Sequence, residues 1–316
     1  MPATLIQSIN STNVRNFTWA TLRAAMRVGS TLIPRIVEDW AVTRFLTPQR
    51  YPHSAAELAL LARGERFAVP LDVRRIAAWS FGPKDAPVVL CAHGWSGRGA
   101  QFRHFVDPLL AEGFRVVLFD HPGHGFTGGP TSSLMEFAAG TQQVLNFLHS
   151  RNADVHAIIG HSLGGPAAAI ALRQSFHHPR RVVLIAPPAS LTEYSRRFAR
   201  FLGLSERVRR GVQRRIERRY AMPWSLLELP GSVAGMRVPA LIIHDRNDRE
   251  VRLANGAAIA RHWPDARLLV TNRLGHRAIM KDAEVVRDTM DFLQARVEFA
   301  RPASDGVEHL APAPIF

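Results

Sequence analysis

Cysteine is almost absent from this chain of 316 residues, in which Cys91 stands alone. A single cysteine cannot form an intrachain disulfide, so a fold built on such bridges is excluded. Cys91 lies in the apolar run 88–92, which predicts a buried, small hydrophobic side chain with no catalytic role. With 47% hydrophobic residues, the chain can instead form the core of one large globular domain, with or without an insertion.

Long hydrophobic runs are also missing. No apolar stretch approaches the roughly 20 residues that a membrane-spanning helix needs. Residues 1–16 are polar and lack the basic start and apolar centre of a secretory signal. We therefore expect a cytoplasmic protein that is not integral to a membrane.

Acidic residues are scarce, with 26 against 40 basic ones and a formal net charge of +14. Such an excess can attract nucleic acid or anionic lipid. The sequence contains no helix-turn-helix, zinc-finger or single-strand-binding motif, so we expect no nucleic-acid partner. Weak peripheral contact with an anionic membrane stays open.

Eight short apolar runs predict an α/β fold with a mostly parallel eight-stranded sheet flanked by helices. The first two runs, 66–69 and 75–79, read as antiparallel strands. Six later runs alternate with helical segments, which is typical of parallel strands. They cover residues 88–92, 114–119, 155–159, 182–185, 240–243 and 267–270.

Helical spacing dominates outside these runs. Residues 1–64 are predicted to form a helical extension, with Gly29 and Pro34 dividing the pattern over 17–46 into two helices. The predicted core comprises residues 65–188 and 239–300, with helices over 254–263 and 283–297. The tail 301–316 is predicted to be flexible.

Residues 189–238 show no strand pattern and are too long for a simple turn, so they are predicted to form an inserted helical cap. Apolar residues from Phe201 to Tyr220 recur every three or four positions and predict one amphipathic helix. Arginines occupy its other faces. These arginines form either a solvated face or a site for an anionic substrate group or membrane surface.

The segment Gly160-His161-Ser162-Leu163-Gly164 matches the pattern G-x-S-x-G. In a nucleophile elbow of this kind, a strand turns sharply into a helix and exposes the serine hydroxyl. The pentapeptide alone is also compatible with an ordinary strand-to-helix turn. Its interpretation therefore depends on the residues that follow it.

A serine nucleophile needs a base, and the base needs an acid that orients it. With this elbow, the acid follows a later strand and the histidine lies near the end of the chain. Asp248, after the run 240–243, and His276, after the run 267–270, satisfy that order. Asp245 and Glu250 are alternatives for the acid.

Backbone amides must also stabilise the oxyanion of the tetrahedral intermediate. We expect these donors to be the amides of Leu163 and of Trp95, which lies in the glycine-rich loop 93–99. His93, Gly94, Trp95 and His161 are predicted to line the substrate pocket. The turn 120–125 is assigned a structural role only.

Five ordered motifs, at residues 93–95, 120–125, 160–165, 248–251 and 275–276, resemble those of α/β-hydrolase-fold serine hydrolases, of the capped esterase/lipase type found in bacteria. The resemblance covers roughly residues 66–297. It implies an eight-stranded sheet, a cap after the sixth strand, and hydrolysis of a small-molecule acyl ester without metal or organic cofactor.

Three alternatives to simple ester hydrolysis remain open at this point. A cofactor-free acyltransferase, or a carbon–carbon bond hydrolase or perhydrolase, would use the same three residues. A noncatalytic protein that binds surfaces could also keep the fold. The sequence leaves the acyl group, the leaving group and the oligomeric state open.

Overall fold

The structure is a computed structural model that describes residues 20–175 and 177–294. The predicted tail 301–316, the end of the helix predicted over 283–297 and the start of the N-terminal helical pattern lie outside these ranges. Among the described residues, no helix combines the length and the apolarity needed to cross a membrane.

Eight strands form one sheet in the order β1-β2-β4-β3-β5-β6-β7-β8. β2 pairs antiparallel with both β1 and β4, and all the remaining pairs are parallel. The predicted eight-stranded, mostly parallel sheet is therefore confirmed. The strands are β1 Glu65–Leu71, β2 Arg74–Phe81, β3 Val88–Ala92, β4 Arg115–Phe119, β5 Val155–His161, β6 Arg181–Ile185, β7 Ala240–Asp245 and β8 Ala266–Thr271.

Helices cover both faces of this sheet. Because both faces are buried, the central strands are continuous apolar runs, and all five residues of β3 are buried. One core cluster joins the sheet to α3, α4 and α12, and a second joins its other face to α5, α6, α9 and α10. The helices are α1 (20–32), α2 Pro34–Leu46, α3 Ala55–Arg63, α4 Arg103–Ala111, α5 Leu134–His149, α6 Gly164–Arg173, α7 Leu191–Leu202, α8 Glu206–Tyr220, α9 Leu229–Val233, α10 Leu253–His262, α11 Gly275–Ala278 and α12 Ala283–Leu293.

A third apolar cluster joins α2 and α8 to α5 and α6. Val37 and Ala41 of α2 are buried in it together with Val208 and Val212 of α8. Pro34 begins α2, as expected of a residue that lacks an N–H and favours the first helical turn. Gly29, by contrast, lies inside α1 and does not divide the pattern.

The single amphipathic helix predicted over 201–220 is wrong, because two helices occupy this region. Gly203 adopts the left-handed conformation (φ 75°) that ends α7, and Ser205 caps the first turn of α8 by accepting from the N–H of Val208. Phe201 therefore belongs to α7, where it is 59% exposed. A glycine two residues before a serine was the signal for this break.

Candidate active site

The predicted elbow lies where β5 ends and α6 begins. Ser162 has a φ of 50°, in the left-handed region that non-glycine residues rarely occupy. A β-carbon on Gly164 would lie 2.1 Å from the carbonyl oxygen of Ala92, and one on Gly160 would lie 2.8 Å from the carbonyl oxygen of Gly164. Strand and helix thus approach too closely for side chains, and the corner presents Ser162 at the carboxyl edge of the sheet.

The structure brings Ser162, His276 and Asp248 together across three separate loops. The Oγ of Ser162 lies 3.0 Å from Nε2 of His276, and Nδ1 of His276 lies 2.7 Å from Oδ2 of Asp248. His276 is at the start of α11, after β8, and Asp248 follows β7. This hydrogen-bonded chain of hydroxyl, imidazole and carboxylate can remove the serine proton.

Asp248 is oriented by its own loop. Its Oδ1 accepts the N–H groups of Glu250 and Val251, each at 2.8 Å. Burial opposes its ionisation, but the hydrogen bond and charge of His276, together with these two N–H groups, hold the pKa of Asp248 below its ordinary value. Asp248 is therefore a carboxylate at neutral pH.

The two alternative acids have other contacts. Asp245 accepts from Thr271 Oγ1 and from the N–H groups of Asn247 and Leu274, so it ties the ends of β7 and β8 together. Glu250 forms an exposed ion pair with Arg277, with 3.0 Å between Oε1 and Nε. Among the three candidates, Asp248 is the carboxylate that the structure places on His276.

Leu163 and Trp95, the predicted oxyanion donors, both line the pocket beside Ser162. The loop after β3 passes directly over the serine, because a β-carbon on Gly94 would lie 2.8 Å from Cβ of Ser162. Neither the N–H of Leu163 nor that of Trp95 has a hydrogen-bond acceptor within the described ranges. Both amides therefore lack an internal acceptor in this part of the chain, as an oxyanion donor must before substrate binds.

His93 does not line the pocket, so that prediction is wrong, whereas Gly94, Trp95 and His161 do line it. The His93 side chain turns away from the cavity and is fully buried. Burial holds its pKa well below the usual range, so the neutral ring donates from Nδ1 to Gly94 O and accepts the N–H of His121 at Nε2. The His93 ring therefore links the loop after β3 to the turn 120–125, outside the pocket.

His161 contacts the base rather than the nucleophile. Burial lowers the pKa of His161 to about 3, so the ring is neutral and its Nε2–H donates to the carbonyl oxygen of His276 at 3.0 Å. This bond connects the elbow to the start of α11. The G-x-S-x-G pattern gave no signal for it, because the pattern leaves that position unspecified.

The turn 120–125 supports the loop that carries Trp95. The carboxylate of Asp120 accepts the N–H groups of Gly99 and Phe126, and His124 Nε2 accepts the N–H of Ser96 at 3.0 Å. Burial lowers the pKa of His124 to about 4, so its ring is neutral and can accept this bond at neutral pH. These contacts fit the structural role assigned to the turn.

His121, in the same turn, is a buried histidine whose ring packs among aromatic side chains. Its ring stacks on Phe137 at 3.8 Å between centroids, and neither ring nitrogen has a hydrogen-bond partner in the described part of the chain. Burial, followed by the charges that His93 and His124 would carry, holds the pKa of His121 well below its usual range. Below about pH 6.5 the unfolded chain therefore binds a proton at His121 that the folded chain does not. The free energy of unfolding is expected to decrease as the pH is lowered through this range.

His121→Phe is expected to raise the free energy of unfolding at pH 7 by about 1 kcal/mol, because two unpaired buried nitrogens are removed. The same change should reduce the slope of stability against pH between 6 and 4 by about 1.4 kcal/mol per pH unit. Urea unfolding at a series of pH values measures both. An unchanged slope would show that His121 is not a buried neutral group.

Above the three residues lies a pocket of about 620 Å³. Its lining is mainly apolar and comes from α2, α5, α7 and α8 as well as from the sheet edge. The lining includes Phe45, Leu46, Trp95, Leu134, Met135, Leu163, Leu191, Phe198, Ile216 and Leu227. Within the described ranges, no group of three or more His, Cys, Asp or Glu side chains is placed to hold a metal ion.

Comparison with known proteins supports this architecture. Residues 87–230 match a family model described as alpha/beta hydrolase fold. An esterase from Pyrococcus furiosus, with 19% sequence identity, superimposes with a TM-score of 0.61 over 79% of this chain and 97% of that chain. The chain has the α/β-hydrolase fold.

The curated relatives at the sequence level include serine hydrolase-like proteins. A serine hydrolase-like protein of Danio rerio is 34% identical over 106 residues, which are 33% of this chain and 32% of the relative. The chain spans about a third of the length of the first curated relatives that it matches. A 2-hydroxy-6-oxononadienedioate/2-hydroxy-6-oxononatrienedioate hydrolase of Dechloromonas aromatica is 25% identical over 64% of this chain and 82% of its own length. The resemblance to α/β-hydrolase-fold serine hydrolases is confirmed.

Proposed function

We propose that this protein is a serine hydrolase that cleaves a carboxylic ester, a thioester or a lipid ester through an acyl-enzyme. The observation that carries the proposal is the chain of hydrogen bonds from Ser162 through His276 to Asp248, at 3.0 and 2.7 Å, on the wall of a mainly apolar pocket. An apolar pocket is suited to the acyl group of such a substrate.

In this mechanism, Ser162 Oγ attacks the acyl carbonyl while its proton moves to Nε2 of His276. The N–H groups of Leu163 and Trp95 stabilise the oxyanion. The tetrahedral intermediate collapses, and His276 returns the proton to the leaving oxygen or sulfur. Water, activated by His276, then attacks the acyl-enzyme and releases the acid and free Ser162. Asp248 stabilises the imidazolium in both steps.

Two related reactions use the same three groups. In an acyltransferase, an alcohol or thiol replaces water in the second step. In a carbon–carbon bond hydrolase, the bond that breaks lies beside a ketone. The match to the Dechloromonas hydrolase of a dienedioate favours the latter as a second candidate.

Pre-steady-state hydrolysis of 4-nitrophenyl butyrate tests the proposal. We expect a burst of about one nitrophenolate per chain, followed by slower turnover, as acyl-enzyme formation precedes deacylation. Product analysis with competing alcohol and thiol acceptors separates the alternatives, because predominant acyl transfer would overturn hydrolysis. If a 2-hydroxy-6-oxo dienedioate, which has a ketone and no ester, is cleaved much faster than any ester, the second candidate is favoured.

We also propose weak peripheral contact with anionic membranes. Residues 191–220 contain ten arginines and three glutamates. Within α8, Arg209 is buried against Glu206 and Ser195, and Arg215 pairs with Glu38 and Asp39 of α2. The other arginines of α8 are exposed.

The corner between α1 and α2 exposes apolar side chains, which are Val28, Leu32, Ile33 and Ile36. A basic face next to exposed apolar side chains is typical of interfacial binding.

Liposome flotation checks this contact. Vesicles with anionic lipid should retain protein at about 0.05 M salt and lose most of it at 0.5 M, because salt screens exposed charges. Leu32→Ser combined with Ile36→Ser should reduce retention further. If anionic vesicles retain no protein at either salt concentration, the contact does not exist.

A further inference from the structure

The pocket is lined by more cationic than anionic side chains. Two are carboxylates with close cationic partners, because Glu57 is 2.8 Å from Arg98 and Glu250 is 3.0 Å from Arg277. Three further cations line the pocket without a carboxylate partner within the described ranges. These cations are Arg44, Arg103 and Lys281.

Arg103 and Lys281 both line the pocket, and their sequence neighbours Phe102 and Met280 belong to one buried apolar cluster. Arg103 begins α4, after the loop that carries Trp95, and Lys281 lies five residues after His276. Burial lowers the pKa of His104, and the charges of Arg103 and of Lys281 lower it further. Arg44 instead lies over the ring of Trp40, with 5.6 Å between Cζ and the ring centroid.

The rest of the pocket is different in character. The lining contributed by α2, α7 and α8 is mostly apolar, and Ile216 is the lining residue from α8. The arginine-rich helix therefore places no arginine in the pocket, among the residues that the structure describes. An anionic substrate group inside the pocket would therefore meet the lining cations, which include Arg103 and Lys281, rather than the α8 arginines.

We propose that Arg103 and Lys281 bind an oxyanion, carboxylate or phosphate, on the leaving-group part of the substrate, while the acyl group occupies the apolar part. This inference rests on the proposed hydrolase function. The leaving atom must lie within reach of Nε2 of His276, which protonates it. In the proposed arrangement the leaving group extends along the segment that follows His276, and Lys281 of that segment lines the pocket. A guanidinium can bind a carboxylate or phosphate through two parallel hydrogen bonds, and an ammonium adds a compact charge.

Two esters with one acyl group test the assignment. 4-(Butyryloxy)benzoate and its methyl ester have the same acyl group, and the para substituent of the leaving phenol is a carboxylate in the first and a neutral methyl ester in the second. Release of the phenol is followed in both, and 4-(butyryloxy)phenyl phosphate provides the phosphate arm. The readout is the ratio of kcat/KM for the anionic ester to that for the neutral ester, corrected for alkaline hydrolysis rates. We expect a ratio of at least about ten, which decreases as salt rises.

Arg103→Gln and Lys281→Gln are each expected to reduce this ratio by about fivefold to tenfold. Lys84 provides a matched control, since the chain has only two lysines and Lys84 faces Glu65 on the β2–β3 side of the molecule. Lys84→Gln should leave the ratio unchanged. Because the neutral ester normalises each variant, a general loss of folding does not imitate the effect.

The outcomes separate this inference from the proposed function. If the wild-type ratio is near one, or if neither variant changes it, the anion site is wrong while ester hydrolysis stands. If an acyl-side charge is favoured instead, with 4-nitrophenyl hydrogen suberate cleaved faster than 4-nitrophenyl octanoate, the assignment to the leaving group is wrong. If the neutral esters are not cleaved at all, the proposed function itself fails.

Discussion

Ser162→Ala is expected to reduce kcat for an activated ester by about 10⁵- to 10⁶-fold, leaving only the catalysis that binding and the oxyanion donors supply. The serine oxygen is the atom that attacks, and Oγ of Ser162 lies 3.0 Å from Nε2 of His276. No other serine hydroxyl of the described chain is hydrogen-bonded to His276. Steady-state hydrolysis of 4-nitrophenyl butyrate, with enzyme at micromolar concentration, measures the residual rate.

Two controls make the result interpretable. Alanine adopts the left-handed conformation of this position about as readily as serine, so thermal unfolding of the variant should match that of the wild type. Ser150→Ala, at the exposed C-terminal end of α5, should retain the wild-type rate. A Ser162→Ala rate within tenfold of the wild type would mean that the chemistry takes place elsewhere.

Asp248→Asn is expected to reduce kcat by about 10⁴-fold, with a smaller change in KM. The amide of asparagine can present its NH₂ group to Nδ1 of His276, which favours the tautomer that cannot accept the serine proton. It also removes the charge that stabilises the imidazolium. Its oxygen can still accept the N–H groups of Glu250 and Val251, so the loop should keep its shape.

Asp245→Asn is the matched comparison. Asp245 holds the ends of β7 and β8 through Thr271, Asn247 and Leu274, so its loss should reduce the free energy of unfolding by about 1–3 kcal/mol. Its kcat should fall by less than about tenfold. A larger loss of kcat in Asp245→Asn than in Asp248→Asn would reverse the assignment of the acid.

The sheet and the three central residues could be predicted from the sequence because each depends on local, ordered signals. Buried parallel strands are continuous apolar runs, and the close approach of backbone at Gly160 and Gly164 leaves a glycine pattern around Ser162. Carboxyl ends of parallel strands meet at one edge, so residues that follow β5, β7 and β8 converge there. Chain order then identified Asp248 and His276.

Other features depend on packing that periodicity does not encode. His93 adjoins pocket residues in sequence, yet its side chain is buried behind the loop. The sequence predicted that the arginines of α8 form either a solvated face or a ligand site. Arg209 is instead buried and donates a hydrogen bond to Ser195. Arg103 and Lys281 both line the pocket although they are 178 positions apart, and no local pattern links them.

The central claim is that Ser162 is an activated nucleophile, and site-resolved labelling with a fluorophosphonate tests it most directly. We expect one probe per chain, located on Ser162 by peptide mass spectrometry, with labelling lost in Ser162→Ala and greatly slowed in His276→Ala. Labelling of a different residue, or ester hydrolysis that continues while Ser162 stays unlabelled, would contradict the account.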